Sequence, residues 1–297
     1  MSESFKGIFA ALTTPFEGEK ISIEKFKENI QKYNSTELAG YVISGSTGES
    51  IYLTDDESEK LVKAAKEAAS AGKKIIAGTA RESTKVTLEF TNRIAGLEVD
   101  AALIRTPSYF KARMDKESLK KHYLSIADQS KTPVFIYHIP QITGLSIDPK
   151  LVIELSSHHN IIGMKDSSGN LAYFGEVKPL LPPDFDYLLG AGSAILPGLT
   201  LGASGGILRL AAIAPAECVH LYNLFHEGKL DEAKKLQLNL VPVNKAIIQT
   251  FGIPGTKYAL DLRGFYGGLP RLPLLPLDEK GKKNMEGILK ESGLLAA

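Results

Sequence analysis

The stretch KTPVFIYHIPQITGLSIDPKLVIELSSHHNIIGMKDSSG, residues 131–169, indicates the fold class. It contains two short apolar runs, PVFIYHIP at 133–140 and IIGMKDS at 161–167, and a longer segment separates them. Near-continuous apolar runs are typical of parallel strands, because the faces of such a sheet are covered by helices. The stretch therefore predicts two parallel strands joined by a crossover segment.

The same alternation continues outward in both directions, from Gly7 to about Phe225. Eight apolar runs alternate with segments of helical period, which carry Lys and Glu on one face and aliphatic residues on the other. Eight such units predict an α/β fold of the (β/α)8 TIM barrel type, and an open doubly wound sheet is the alternative. The other six runs are GIFAALTTP (7–15), GYVISGS (40–46), KIIAGTA (74–80), AALIRTP (101–107), YLLGAG (187–192) and GGILRLA (205–211). The clearest helical segments are IEKFKENIQKYN (23–34), DDESEKLVKAAKEAAS (55–70), STKVTLEFTNRIAG (83–96) and KESLKKHYLSIADQ (116–129).

No strand pattern appears from Glu227 onward. The segments at 229–249, 253–264 and 277–292 have helical spacing and are separated by Pro and Gly. We therefore expect a (β/α)8 barrel that carries the active site over residues 1–226 and a C-terminal helical appendix over 227–297. The segment 264–276, with three prolines and three glycines, is expected to be an irregular linker.

The composition is that of an ordinary globular protein. The 297 residues include 35 Lys and Arg against 34 Asp and Glu, which gives a net charge of +1. Such a balance provides no general field for nucleic acid or an acidic membrane, and no run approaches the ~18 apolar residues of a spanning helix. The amino terminus resembles no export signal, and the single cysteine, Cys218, cannot form an internal disulfide. We expect a cytoplasmic protein that binds neither nucleic acid nor membrane.

Lys165 is the most informative candidate for chemistry. In a barrel of parallel strands the active site lies at the carboxyl ends of the strands, and Lys165 lies at the end of the run IIGMKDS. Burial disfavours the charged form of an amine, and a neutral amine can condense with a ketone. The alternative is that Lys165 forms an ion pair with the neighbouring Asp166.

Tyr137 and His138 lie at the end of the preceding run. Consecutive strand residues point to opposite faces, so at most one of them faces the barrel interior. Tyr137 inside the barrel could transfer protons near Lys165, although a packed aromatic residue is the alternative. His138 is then expected to face outward and bond to a helix. The histidines show no metal-ligand spacing, so we expect no metal.

A Gly-rich turn, Gly45–Ser50, follows the second run. Its backbone N–H groups and hydroxyls can bind an anion, and it has neither the P-loop ending nor the GxGxxG spacing of nucleotide sites. An anion-binding turn, an imine-forming amine and a phenol together fit a small 2-oxo acid.

These residues resemble the dihydrodipicolinate synthase / N-acetylneuraminate lyase family. The similarity is carried by GSTGE at 45–49, YHIP at 137–140 with Thr143-Gly144, and GMKDSSG at 163–169, in order and spacing. It covers almost the whole chain, and within the family the sequence is most similar to the 4-hydroxy-2-oxoglutarate aldolases, through TPSYFKARM (106–114), GMKDSSGN (163–170), AGSA (191–194) and FGIPG (251–255).

The resemblance implies a class I, Schiff-base aldolase or lyase that acts on pyruvate-like 2-oxo acids without metal or cofactor. Lys165 would form the imine, and Tyr137 would transfer protons. Tyr109 would reach the site of a neighbouring subunit and complete a hydroxyl relay, which requires at least a dimer; family members suggest a homotetramer built from two dimers. The implied substrate-binding positions are Ser46, Thr47, Ser167, the backbone of Ile207, and Gly192, which would open the site near the far end of the substrate.

Departures from the family pattern guide the choice of substrate. Synthases of the dihydrodipicolinate branch have an arginine that binds the carboxylate of an amino-aldehyde at the position that is Ile142 here. Sialic acid lyases have an acidic pair where this chain has Gly192-Ser193. These differences favour cleavage of 4-hydroxy-2-oxoglutarate to pyruvate and glyoxylate. The alternatives are a 2-keto-3-deoxy sugar acid aldolase, a synthase-type condensation of pyruvate with an aldehyde, and a non-catalytic protein that binds 2-oxo acids.

Arg105 and Arg209 each occur in an apolar run. Either could bind the second carboxylate of a dicarboxylic substrate. A buried charge is usually paired, so we expect both to face the helix layer and to pair with acids, outside the site.

Overall fold

Eight parallel strands form a closed barrel, in which each strand pairs with the next along the chain and the last pairs with the first. The computed structural model describes residues 4–296. This barrel, with helices between its strands and further helices at its C-terminal end, confirms the predicted fold class. The strands are β1 (Gly7–Ala11), β2 (Gly40–Ile43), β3 (Lys74–Gly78), β4 (Ala101–Arg105), β5 (Val134–His138), β6 (Ile161–Asp166), β7 (Asp186–Leu189) and β8 (Gly205–Leu208).

The outer face of the barrel is covered by helices whose starts the sequence marks clearly. Thr54 caps α2 in a capping box with Glu57, and the side chains of Ser83 and Asp115 cap α3 and α4. The helices of this layer are α1 (Ile23–Asn34), α2 (Asp55–Ala68), α3 (Thr84–Ala95), α4 (Lys116–Gln129), α5 (Pro140–Thr143), α6 (Pro149–Ser156), α7 (Leu171–Val177), α8 (Ile195–Thr200), α9 (Leu210–Ile213) and α10 (Pro215–His226).

The chain after the barrel is helical, as the sequence predicts. It forms α11 (Leu230–Lys245), a π-helical turn (Ala246–Thr250), α12 (Gly252–Leu262) and α13 (Glu279–Glu291), with an irregular segment before α13. We propose the boundary between barrel and appendix at 226/227, because α10 ends at His226 and α11 begins at Leu230. Residues 1–3 and 297 of the two expected domains lie outside the described residues.

Apolar side chains form an inner and an outer core, which are separated by the barrel wall. The inner cluster fills the barrel and includes Phe9, Val42 and Phe135. The outer cluster lies between the strands and the helices and also contains Leu240 and Leu260 of the C-terminal helices. Since the C-terminal helices share this core, they are packed onto the barrel rather than tethered to it.

Candidate active site

The candidate site is built on a row of residues at the same level of adjacent strands. Arg105 of β4 pairs with Tyr137 of β5, Tyr137 with Lys165 of β6, and Lys165 with Leu188 of β7. Residues that are in register in a parallel sheet point to the same face. Tyr137 and Leu188 belong to the inner cluster, so the row faces the barrel interior near the carboxyl ends of the strands.

Lys165 lies in a cavity of about 440 Å³ at this end of the barrel. Its side chain is buried, with 4% exposure, and its Nζ lies 4.2 Å from the centre of the Tyr137 ring. The alternative in which Lys165 pairs with Asp166 is wrong, because Asp166 points to the opposite face of β6. There it accepts hydrogen bonds from His138 Nδ1 at 2.9 Å and from the Tyr187 hydroxyl at 2.7 Å.

His138 faces outward, as predicted from alternation along β5, but its strongest partner is on a strand rather than on a helix. The register of β5 against β6 places it beside Asp166, and its ring packs against Tyr173 of α7 with centroids 4.9 Å apart. Burial raises the pKa of Asp166, yet the hydrogen bond from His138 and others from Ser168 and Tyr187 outweigh it and lower that pKa. The Asp166 carboxylate is therefore a structural anion behind β6.

The phenol of Tyr137 lies among polar groups that affect its pKa. Its hydroxyl lies 3.4 Å from Ser46 Oγ, which is long for a hydrogen bond between hydroxyls, and such bonds often shorten when substrate binds. Burial raises the pKa of Tyr137, but the charge of Lys165 and hydrogen bonds with Ser46, Lys165 and Ser167 oppose burial. The net effect lowers the pKa of Tyr137 from its ordinary value of 10.0.

The turn that carries Ser46 and Thr47 is held in an unusual backbone conformation. Ser44 and Glu49 on either side of it have φ values of 54° and 57°, a region that residues with a Cβ rarely adopt. The Glu49 carboxylate forms a buried ion pair with Lys257 of α12, with 2.7 Å between the charged atoms. Sequence reasoning missed Lys257, because one lysine in a helical segment gives no signal of a distant partner.

The other expected substrate-binding positions lie at or near the cavity. Thr47, Ser167 and Ile207 line it. Gly190 also lines it and lies so close to Ser167 that a Cβ would come 1.9 Å from Ser167 Oγ. Gly192 is not among the lining residues; its carbonyl accepts a hydrogen bond from Gln237 Nε2 at 3.0 Å, while its neighbours Ala191 and Ser193 line the cavity.

Arg105 does not face the helix layer, so that part of the prediction is wrong. It shares its face of β4 with Leu103, two residues earlier, and lines a small cavity of about 20 Å³ with Ser46 and Tyr137. Its predicted pairing with an acid is confirmed, because Nη1 lies 2.8 Å from Glu82 Oε1. Arg105 points inward because side chains alternate along β4. Its acidic partner, Glu82, lies in the loop after β3.

The prediction for Arg209 is wrong in both respects. Arg209 lies two residues after Ile207, so its side chain turns to the same side, and it lines the cavity with Lys165. Its Nη1 donates to the carbonyl of Ile247 at 2.6 Å, and its Nε lies 3.4 Å from Thr47 Oγ1. Burial lowers the pKa of Arg209, opposed by Tyr137. Within residues 4–296 it makes no salt bridge.

Tyr109 lies outside the cavity of its own chain. Its side chain is 79% exposed in the loop after β4, and its backbone N–H donates to Glu82 Oε2 at 2.9 Å. Phe110 beside it is also exposed, with the two ring centroids 5.0 Å apart. A role of Tyr109 in another subunit's site stays a prediction.

Sequence reasoning missed most of the cavity wall on the C-terminal side. Asn244 of α11, together with Ile248 and Gln249 of the π-helical turn, lines the cavity opposite the barrel. These residues lie some eighty positions from Lys165 in the chain, and nothing in their spacing indicates where the appendix packs. Gln141 and Ile142 of α5 complete the rim, with Ile142 60% exposed.

Among the described residues, no three or more His, Cys, Asp or Glu side chains are arranged to hold a metal ion. No helix within residues 4–296 has the length and apolarity to cross a membrane.

Comparisons with known proteins agree with this geometry. The family model described as "Dihydrodipicolinate synthetase family" matches residues 4–292. A 4-hydroxy-tetrahydrodipicolinate synthase from Exiguobacterium is 33% identical over 288 residues, 97% of this chain and 98% of the relative. One from Methanococcus maripaludis is 34% identical over 292 residues, 98% and 99% of the two chains.

Solved structures give the same result. The dihydrodipicolinate synthase of Thermotoga maritima superposes with a TM-score of 0.94 at 28% identity, covering 99% of this chain and 100% of the other. The relatives in these comparisons are named as synthases, so the closer similarity to 4-hydroxy-2-oxoglutarate aldolases stays a prediction. Over nearly its full length, in sequence and in backbone, this chain belongs to the dihydrodipicolinate synthetase family.

Proposed function

We propose that this chain is a class I, Schiff-base enzyme that joins pyruvate to an aldehyde or releases pyruvate from an aldol. The observation that carries the proposal is a cavity in which the amine of Lys165 lies 4.2 Å from the Tyr137 ring. The Tyr137 hydroxyl lies 3.4 Å from Ser46, which lines the small cavity on the other side of Tyr137. An amine, a phenol and a hydroxyl relay are the groups that imine formation requires.

The first half of the reaction forms the imine. The neutral amine of Lys165 attacks C2 of the 2-oxo acid, and the carbonyl oxygen takes up a proton that Tyr137 supplies. The resulting carbinolamine loses water and becomes a protonated imine. The hydroxyls of Ser46 and Thr47 and the backbone N–H groups of their turn hold the adjoining carboxylate during this step.

The second half breaks or forms the C3–C4 bond. In the cleavage direction Tyr137 accepts the proton of the C4 hydroxyl, the C3–C4 electrons move into the imine, and an aldehyde leaves. The enamine that remains takes a proton at C3, and water then hydrolyses the imine to pyruvate and free Lys165. Condensation runs through the same steps in reverse, so one site serves both directions.

The relatives' names favour condensation as the reaction of this chain. Both sequence relatives described above are named 4-hydroxy-tetrahydrodipicolinate synthase, and they cover it almost completely. Under this proposal the second substrate is the amino-aldehyde that the synthase branch uses.

Ile142 favours the second candidate, cleavage of 4-hydroxy-2-oxoglutarate. It occupies the position where the synthase branch has its carboxylate-binding arginine, and it lies on the rim of the cavity with 60% exposure. An isoleucine side chain cannot donate a hydrogen bond, so an amino-aldehyde would lose that contact. A 2-keto-3-deoxy sugar acid is a further option, because the amides of Gln141, Asn244 and Gln249 line the cavity and could bind its hydroxyls.

A substrate panel tests the proposed function. Pyruvate release is measured with 4-hydroxy-2-oxoglutarate and with a 2-keto-3-deoxy sugar acid, and pyruvate consumption is measured with the amino-aldehyde of the synthase reaction. A kcat/KM at least about tenfold higher for one of them identifies the second substrate, since tenfold corresponds to about 1.4 kcal/mol of transition-state binding. If the protein binds pyruvate but turns over none of the three substrates, the remaining explanation is a non-catalytic protein that binds 2-oxo acids.

We propose further that the protein is cytoplasmic and works as a homotetramer of two dimers, with Tyr109 contributed to a neighbouring subunit's site. Its exposed ring, beside the exposed ring of Phe110, supports this assembly, because two large apolar groups at one loop are suited to a subunit interface.

A further inference from the structure

The cavity around Lys165 is lined by two basic side chains, Lys165 and Arg209, and none of its lining residues is an Asp or a Glu. Under the proposed function the amine of Lys165 forms the imine and does not bind a carboxylate. The hydroxyls of Ser46 and Thr47 and the backbone N–H groups of their turn hold the carboxylate next to C2. The cavity therefore has one cation more than a monocarboxylic 2-oxo acid needs.

Arg209 is fixed in place by neutral partners only. Its Nη1 donates to the carbonyl of Ile247 at 2.6 Å, and its Nε lies 3.4 Å from Thr47 Oγ1. A guanidinium has five N–H donors, and Nη2 has no hydrogen-bond partner within residues 4–296. The carbonyl of Ile247 comes from the π-helical turn that lies over the barrel mouth, and it orients the guanidinium at the cavity wall.

Arg105 provides a comparison at the same rim. Its Nη1 lies 2.8 Å from Glu82 Oε1, so its charge is balanced within the chain. Within residues 4–296 Arg209 has only neutral hydrogen-bond partners, and its charge has no such balance. Removing a cation from water without an anionic partner is unfavourable, and a carboxylate of a bound substrate would restore the balance through charge-assisted hydrogen bonds.

Arg209 and Lys165 lie on either side of β7. Arg209 follows β8, which pairs with β7, and the loop after β7 supplies Gly190, Ala191 and Ser193 to the same cavity. Lys165 lies on β6, on the other side of β7. A short chain attached to Lys165 can therefore extend across the end of β7 toward Arg209.

We propose that Arg209 is a specificity-determining residue that binds a second carboxylate, so that this enzyme selects dicarboxylic 2-oxo acids. The proposal rests on the proposed function for the position of C2. It agrees with either candidate second substrate, because glyoxylate and the amino-aldehyde both bring a carboxylate. In this chain that carboxylate would bind after β8, while the loop after β5 has Ile142 at its rim.

The test compares two ligands that differ only in the second anion. 2-Oxoglutarate and 2-oxopentanoate have the same five-carbon 2-oxo acid skeleton, with a carboxylate or a methyl group at C5. Their affinities for the full-length protein are measured by calorimetry. Because both ligands have the same reactive head, imine formation cancels from the ratio of their affinities.

The wild-type protein should bind 2-oxoglutarate about 10- to 100-fold more tightly, the range expected for a charge-assisted pair. Arg209→Met should reduce that ratio to less than about threefold, and Arg209→Gln serves the same purpose if methionine is not tolerated. Arg81→Met is the matched control, and it should leave the ratio unchanged, because Arg81 does not line the cavity and pairs with Asp55 at 2.6 Å. Pyruvate affinity should change little in either Arg209 variant.

Three results would overturn the proposal. The first is a wild-type ratio of affinities near one, and the second is a ratio that the Arg209 variants retain. The third is a loss of pyruvate affinity in those variants equal to the loss of 2-oxoglutarate affinity, which would assign Arg209 to the carboxylate next to C2. A failure of the proposed function is visible separately, as the absence of a covalent pyruvate adduct on Lys165, since the ratio of affinities does not depend on that adduct.

Discussion

At the scale of single residues, the site depends on the alternation of side chains along β5 and β6. Tyr137 and Lys165 face the cavity, while His138 and Asp166, each one position further on, face the helix layer and bind one another at 2.9 Å. The same alternation keeps the carboxylate of Asp166 away from the amine of Lys165. The amine of Lys165 and the carboxylate of Asp166 therefore lie on opposite faces of β6.

Tyr137→Phe should lower kcat by about 10²- to 10⁴-fold, the usual contribution of a proton-transferring group, and should change the affinity for pyruvate much less. The pKa of Tyr137 is lowered from 10.0, so the phenol loses its transferable proton as pH rises through a value below 10. A wild-type profile of kcat against pH should therefore fall on its alkaline side, and the residual activity of the variant should lack that fall. A variant with near wild-type kcat would remove Tyr137 from the mechanism.

Sequence alone predicted that Lys165 and Tyr137 lie at the carboxyl ends of the strands, because each is a polar residue at the end of an apolar run, and both line the cavity there. It failed for Arg209 and for the direction of Arg105. The rarity of unpaired buried charges favoured pairing with an acid on the outer face. In the structure Arg209 lies on the same side as Ile207, and Arg105 on the same side as Leu103, each two residues earlier. The spacing of two from a residue already assigned to the site was the signal that could have identified Arg209.

At the scale of elements, the turn after β2 that carries Ser46 and Thr47 is held by a helix near the end of the chain. Glu49 binds Lys257 of α12, both side chains are 1% exposed, and the Lys257 ammonium also donates to the carbonyl of Leu269 at 2.8 Å. Burial lowers the pKa of Lys257, and the Glu49 charge opposes that effect. The buried pair thus connects the anion-binding turn to the C-terminal helices.

Lys257→Met should destabilise the protein by about 3–5 kcal/mol, because it leaves the Glu49 carboxylate buried without its partner. The double variant Glu49→Gln with Lys257→Met should recover part of this loss, since no unpaired charge then remains. Urea unfolding of the two single variants and the double variant gives the coupling energy between the residues. If the loss of unfolding free energy in the double variant equals the sum of the losses in the two single variants, the Glu49 and Lys257 charges do not stabilise one another.

At the scale of the whole molecule, eight repeated units predicted the barrel, and the structure confirms it. The C-terminal helices were also predicted as helices, but not as a wall of the site. Asn244 of α11 and Ile248 and Gln249 of the π-helical turn line the cavity on the side opposite the barrel. Helical period shows which face of a segment is apolar, but not which part of the barrel that face covers.

Mixing two inactive variants tests whether Tyr109 acts across a subunit interface. Tyr109→Phe keeps Lys165, and Lys165→Ala keeps Tyr109. Random dimers from an equal mixture should recover about a quarter of wild-type activity, because half of the dimers are hybrids and each has one complete site. The unmixed variants are the controls. Activity of the mixture equal to the mean of the separate variants would show that Tyr109 does not act in a partner's site.

Treatment with borohydride in the presence of pyruvate tests the central claim most directly. Reduction of the imine makes the bond to the enzyme permanent, and peptide mass spectrometry then identifies the modified residue. We expect one pyruvate-derived adduct, on Lys165, which is absent without pyruvate and absent in Lys165→Ala. An adduct on another lysine, or none on Lys165, would contradict the Schiff-base mechanism.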